Sequence, residues 1–223
     1  MSAAPTDQSP PADLAALARG GRINFFGFCI RLAARLPFLF IAGRIYGAEA
    51  LGRFAYAVLI VEFADFQCGA CKTQYLNTQP ILDKYKGRPS DVRFELRHWP
   101  ISSLCNPTVP TAVHPASCDA AAAYEMAKGK GTSDLLKDWF FINQEKLSPA
   151  TVRRAAADVG KITDFDTQFP KAIQQVRTDA SLGTAIGVSS TPSFFINGRR
   201  IPGGGVAAQY FEALIELELK RAK

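Results

Sequence analysis

Apolar and polar positions along this chain change period from one stretch to the next, and the changes mark out its elements. From Tyr56 to Phe63 the residues are almost all large and apolar, as in a strand buried on both faces. Beyond it, Gln74, Tyr75, Leu76, Ile81, Leu82 and Tyr85 recur at near-helical spacing. Pro89-Ser90-Asp91 reads as a turn, Val92 to Trp99 alternates as a strand does, and Pro100 ends it. A strand, a helix and a second strand in that order predict a parallel pair joined by a right-handed crossover. Residues 101–113 hold turn formers and read as loop. The Ala-rich run from Asp119 to Lys128 has high helix propensity. Thr132-Ser133-Asp134 opens a helix carrying Leu135, Leu136, Trp139, Phe140 and Ile142, and Ser148-Pro149 opens another with proline in its first turn. A further helix is expected over Asp164 to Leu182, around Pro170. Pro192 then precedes an apolar strand, and Asn197-Gly198 between two short runs is a strong hairpin signal. Tyr210 to Ala222 predicts a closing helix whose stripe of Phe211, Leu214, Ile215 and Leu217 covers the sheet.

Candidate chemistry sits where the first strand gives way to the first helix, in Cys68-Gly69-Ala70-Cys71. Unpaired backbone N–H groups and the positive end of the helix dipole favour an anion there. Cys68 should therefore lose its proton more easily than a free thiol, and the thiolate is the nucleophile. Cys71 is close enough in sequence to close a disulfide with it. Three plainer readings compete. The two cysteines are core residues, or they form a purely structural disulfide, or they share a structural zinc with Cys105, His114 and Cys118.

Some 120 residues downstream, Thr191-Pro192 leads into Phe194-Phe195-Ile196-Asn197-Gly198. With Val61-Glu62-Phe63-Ala64-Asp65-Phe66-Gln67-Cys68-Gly69-Ala70-Cys71, this order and spacing resembles the thioredoxin superfamily. The likeness, over residues 57–221, is to DsbA-related thioredoxin-like domains, especially those fused to vitamin K epoxide reductase homologues. Cys105-Asn106-Pro107 and His114-Pro115-Ala116-Ser117-Cys118 are also alike. The resemblance implies an α/β thioredoxin-like fold with a helical insertion, here over residues 114–183, beside the active site. It implies that Pro192 is cis and faces the cysteine pair, with Thr191 offering backbone hydrogen bonds to an extended substrate. It also implies that Glu62 is a buried acid beneath the pair, placed to relay the proton of Cys71. Otherwise Glu62 is a strand-end surface carboxylate.

Cys105 and Cys118 read as a second disulfide, either structural or passing electrons to the first. Its loop-closure entropy would contribute about 3 kcal/mol. The zinc reading would require Cys68 and Cys71 to share a metal with them, which would silence their thiol chemistry. His114 is then a loop histidine that caps backbone or tunes a thiol, and His98 is a strand-end residue.

Charge and the first 56 residues alter the picture least. The 26 Lys and Arg against 20 Asp and Glu give a net charge of +6, yet the basic residues form no stripe and no aromatic-basic platform for nucleic acid. Residues 1–22, rich in Ala, Pro and Ser, predict a disordered tail. Residues 23–56 form an apolar-basic segment in which Arg31, Arg35, Arg44 and Arg53 interrupt every stretch long enough to span a bilayer. A tilted helix that snorkels its arginines, an interfacial amphipathic helix and an export leader cut near Ala48-Glu49-Ala50 are all compatible with it. Cleavage there would remove Cys29 and leave four cysteines. Residues 20–57 also resemble the amino-terminal opening of polysaccharide flippases.

Together these readings predict a thiol-disulfide oxidoreductase acting outside the cytoplasm, periplasmic or membrane-anchored through residues 23–56. Cys68 is the expected exposed nucleophile, Cys71 the resolving thiol, and protein or peptide thiols the substrates. No cofactor is required, and the resemblance implies a quinone-linked, vitamin K epoxide reductase-like membrane partner. Oxidase is the first expectation for the direction of electron flow; reductase or isomerase is the second. A zinc-stabilised, non-catalytic binding domain at the membrane is the competing class.

Overall fold

The computed structural model describes residues 57–202 and 205–222. The expected tail, the apolar-basic segment, Cys29 and the stretch likened to flippases lie outside those residues. Among the described residues, no helix is long and apolar enough to cross a membrane.

Strand β1 (Val58–Ala64) is central to a four-stranded sheet with β2 (Val92–His98), β3 (Ser193–Ile196) and β4 (Arg199–Arg200). It pairs in parallel with β2, Val58 opposite Val92 and Ala64 opposite His98, through helix α1 (Gly69–Asp83) as expected. On its other side it runs antiparallel to β3, with Glu62 opposite Phe194. The turn into β4 holds Asn197 and Gly198 at φ of 49° and 77°. Positive φ at both central residues is what a two-residue hairpin requires, and Asn and Gly tolerate it best. Asn197 adds a side-chain bond, its Oδ1 accepting from Leu59 N at 2.8 Å.

Alternation along β1 divides the interior. Val58 and Ile60 join Phe194, Ile196, Ile81 and Leu82 in a core with Phe211 and Ile215 of the closing helix α6 (Ala208–Arg221). Phe63 points the other way, to Phe195, Trp99 and Ala180. Within the expected stripe of α6, Phe211 and Ile215 are fully buried, whereas Leu217 is exposed. A 100° turn per residue leaves one position of such a stripe beyond the edge of a narrow sheet.

Between β2 and β3 the insertion consists of α2 (Ser117–Lys128), α3 (Ser133–Ile142), α4 (Pro149–Asp158) and α5 (Phe165–Ala185). Ser148 caps α4, its hydroxyl accepting from Thr151 N at 3.2 Å. Helix α5 is longer than the expected Asp164–Leu182 and passes through Pro170; α1 likewise passes through Pro80. In each case the carbonyl left without its donor belongs to an exposed residue, Asp166 or Leu76, where water can serve it. Close approach of α5 to the sheet depends on Gly183, where a Cβ would sit 2.9 Å from both Phe63 Cδ1 and Trp99 Cδ1. The small residues of α2, Ala120 to Ala123, let the insertion pack around Phe66, Phe140 and Phe141. The aromatics of α3 therefore serve mainly as core, as read from the sequence.

Candidate active site

Cys68 is the N-cap residue of α1, in extended backbone at φ −75°, ψ 119°. Its N–H donates to Asp65 O at 3.1 Å, and its carbonyl accepts from Lys72 N and from Gln144 Nε2 at 3.0 Å. Gln144 also donates to Phe66 O. Gln67 joins the same turn to the insertion, its Oε1 accepting from Ala116 N and its Nε2 donating to Leu147 O. The strand-to-helix turn is thus clamped by residues far away in sequence.

The Thr191–Pro192 peptide is cis, and the Cys68 thiol donates to the Thr191 carbonyl at 3.4 Å. Proline 192 and the thiol pair therefore meet across the end of the sheet. This contact corrects one expectation. Cys68 is only 8% exposed and Cys71 is fully covered, because the Thr191 segment lies over the sulfur at the helix tip. Cys68 remains the more accessible of the two.

Both thiols are unbridged, and their surroundings drive them apart. A hydrogen bond from the Cys71 thiol, the Thr191 hydroxyl, and the backbone N–H groups of Cys71 and Ala70 bring Cys68 from 9.0 down to about 5, against the opposing effect of burial. The Thr191 hydroxyl has no hydrogen-bond partner among the described residues, so it is available to an anion at Cys68. Cys71 moves well above 9.0, chiefly through burial, then through its hydrogen bond to Cys68 and the charges of Glu62 and Cys68.

Glu62 is buried, which removes the surface-carboxylate reading. Burial raises its pKa from 4.5 to about 8; Lys137 of α3 opposes the rise, and the Cys68 charge adds to it. One of its oxygens, Oε1, has no hydrogen-bond partner among the described residues. At neutral pH the carboxyl is thus mostly protonated, within electrostatic reach of both sulfurs.

A disulfide joins Cys105 to Cys118, with Cα atoms 5.9 Å apart. Bridged sulfurs supply no thiolates to a metal, so in this state the zinc set composed of both cysteine pairs is not available. His114 departs from the backbone-capping expectation. Its Nδ1 lies 2.8 Å from Asp65 Oδ2, and its pKa rises through that bond, through the Asp65 charge and through the Cys68 charge, against desolvation. Asp65 also accepts from Gln67 N at 2.7 Å and from Ile101 N at 2.6 Å, fully buried as a side chain. Its place in the motif carried no sign of this, since the partners lie 36 and 49 residues further on.

Among the described residues, His98, Glu125 and Asp179 have ligand atoms close enough to hold a cation. Their charges are already answered. His98 Nε2 meets Glu125 at 2.9 Å, Glu125 meets Lys128, and Asp179 binds Arg97 at 2.9 Å. The group ties β2 to α2 and α5 beneath the insertion.

Residues 47–216 match the family model described as Thioredoxin. The chain belongs to the thioredoxin family. Its fold is the mixed α/β thioredoxin fold with a helical insertion, and solved structures with that arrangement are similar to it. Alpha-DsbA1 of Wolbachia pipientis superposes with a TM-score of 0.61 at 18% identity, over 74% of this chain and 87% of that one. BdbD of Bacillus subtilis, in its oxidised form, gives 0.52 at 23% identity over 74% and 88%. Reduced DsbG of Mycobacterium tuberculosis gives 0.54 at 16% over 74% and 83%. Among curated proteins, the Na(+)/H(+) antiporter NhaA 1 of Mycobacterium sp. strain KMS is 30% identical over 162 residues, 70% of this chain. The matched stretch spans only 24% of that antiporter's length.

Proposed function

We propose that this thioredoxin-family chain is a thiol-disulfide oxidoreductase that oxidises thiols of extracytoplasmic proteins through Cys68 and Cys71. One observation carries the reading: two thiols one helical turn apart are pushed to opposite sides of neutrality, the acidic one facing a cis prolyl peptide. In the forward direction a substrate thiolate attacks Cys68 Sγ of the oxidised pair. The Cys68–Cys71 bond breaks, its electron pair leaves on Cys71, and a mixed disulfide forms at Cys68. Protonated Glu62 returns a proton to Cys71, whose environment disfavours the anion. A second substrate thiolate then attacks the substrate sulfur of the mixed disulfide and releases Cys68 as a thiolate. The product is a substrate disulfide, and the enzyme is left as a dithiol two electrons more reduced. Thr191 and Pro192 form the ledge on which the substrate backbone rests.

A stabilised Cys68 thiolate favours the reduced enzyme and makes the disulfide a stronger oxidant, which supports oxidase over reductase or isomerase. The Cys105–Cys118 bridge suits an oxidising compartment. Re-oxidation needs an electron acceptor. We assign that role to a quinone-linked membrane oxidoreductase of the vitamin K epoxide reductase class, with residues 23–56 as the candidate membrane-associated segment ahead of a catalytic domain at 57–223.

The test mixes the oxidised full chain with a reduced, unfolded protein of known disulfides and follows disulfide formation. The wild type should consume one equivalent of dithiol per chain; Cys71→Ala, given instead the disulfide-bonded form of that protein, should trap a mixed disulfide at Cys68 with release of one substrate thiolate, and Cys68→Ser should do neither. Wild-type kinetics indistinguishable from those of Cys68→Ser would overturn the reading.

A further inference from the structure

The dipeptide between the two cysteines, Gly69-Ala70, brings no charge to Cys68. The next cation in sequence, Lys72, is turned to the surface and paired with Glu145 at 2.6 Å. Lys137 acts on Glu62, and its ammonium is bonded to Gln79 at 3.1 Å and Asp134 at 3.4 Å. The titratable groups around Cys68 are Cys71 and Glu62, which couple to the thiols electrostatically, and the Asp65–His114 pair, which the loop ahead of α2 docks on the Cys68 turn through His114 Nδ1 on Asp65 at 2.8 Å and Ala116 N on Gln67 Oε1 at 2.6 Å.

That histidine is held from three directions. Its ring binds Asp65, its N–H donates to Ile101 O at 3.0 Å, and its carbonyl accepts from the Ser117 N–H and hydroxyl. Ile101 in turn donates its N–H to the same Asp65 carboxylate. Asp65 O receives the N–H of Cys68, so one residue anchors both the nucleophile's turn and the histidine. The loop carrying His114 lies inside the ring closed by Cys105–Cys118.

We propose that the Asp65–His114 pair is a positioning device that sets the charge state of Cys68, the imidazolium supplying from the insertion loop the positive charge that Gly69-Ala70 omit. The inference rests on Cys68 being the reactive thiol of the preceding section. Asp65 orients the ring and favours its charged form. When the mixed disulfide resolves, the electron pair arriving on Cys68 finds a cation already in place, and no proton need move. Cys68 is among the groups that raise the pKa of His114, which is the reciprocal of the same coupling. The contribution adds to the larger one from hydrogen bonds at the helix tip.

The experiment uses the full chain in its dithiol form, with Cys105–Cys118 intact. The rate of alkylation at Cys68 is followed against pH by peptide mass spectrometry, which separates it from Cys71 and Cys29. His114→Gln should move the Cys68 midpoint upward by about half to one pH unit, and His114→Lys should recover much of that movement. A purely structural histidine would lower the melting temperature in both variants and leave the midpoint alone. Should neither variant fold, the ring of His114 is titrated by NMR in wild type and in Cys68→Ser. Loss of the thiolate should lower the ring's midpoint, and an unchanged midpoint overturns the proposal. If the wild type fails to oxidise thiols yet the midpoint depends on His114, the oxidoreductase reading fails and this one stands. If it oxidises thiols and the midpoint ignores His114, only the present inference fails.

Discussion

Replacing Glu62 with glutamine tests the electrostatics under the thiol pair, because a buried acid that keeps its proton leaves a pH signature in stability. An ordinary carboxyl ionises at 4.5, whereas Glu62 holds its proton to about 8. The unfolded chain therefore loses the proton first, and between these values the folded state binds more protons than the unfolded one. Stability contributed by the protonated carboxyl is complete below pH 4.5 and is lost as pH rises through about 8. Each pH unit across that window corresponds to about 1.4 kcal/mol, so the whole interval is worth at most about 5 kcal/mol. Denaturant unfolding of the oxidised wild type and of Glu62→Gln, from pH 5 to pH 8, isolates the effect. In that redox state neither Cys68 nor Cys71 titrates. The missing Cys68 charge, a minor contributor to the elevation, lowers the expected difference to about 3 kcal/mol between the ends of the range. Glutamine should gain steadily on the wild type as pH rises. The slope decides, not the offset, because the amide must also find partners where Glu62 Oε1 has none among the described residues. A constant difference across the range would mean that Glu62 is ionised in the folded protein, stabilised by Lys137, and the proton route from Glu62 to Cys71 would be withdrawn.

Two further perturbations probe the frame around the site. Gly183→Ala drives a methyl group to 2.9 Å from Phe63 and Trp99, and overpacking of that kind costs about 1–3 kcal/mol. For a chain of this size the melting temperature should fall by about 3–10 °C; an unchanged melting curve would show that α5 can shift away freely. Cys105→Ser with Cys118→Ser opens a link between residues 13 apart in sequence and should lower stability by about 3 kcal/mol in denaturant unfolding. By loosening the loop of His114 it should also raise the Cys68 alkylation midpoint, in the same direction as His114→Gln and by no more. A stability loss without any such movement would make the bridge purely structural.

Local patterns carried much of this protein. A run of β-branched and aromatic residues specifies a buried strand wherever it packs, and Asn197-Gly198 specifies its turn because few residues accept positive φ. Ser148-Pro149 starts a helix by satisfying its own first N–H groups. For the same reason the cysteines could be placed at a helix tip from sequence alone, since the anion-stabilising N–H groups belong to the helix end itself. Quantities that depend on distant partners were not legible. How far Cys68 is covered depends on where the Thr191 segment crosses the helix tip, 123 residues away. Whether Glu62 is a surface carboxylate or a buried acid is set by the tertiary packing around the central strand, and burial then raises its pKa. His114 reads as a loop histidine, and Asp65 as no more than one residue of the motif, until the insertion folds back and brings ring and carboxylate to 2.8 Å. Sequence determines what a residue can do within its own turn of helix or strand. Solvent exclusion and charge pairing arise only when separate segments meet, and those two effects tune the thiols.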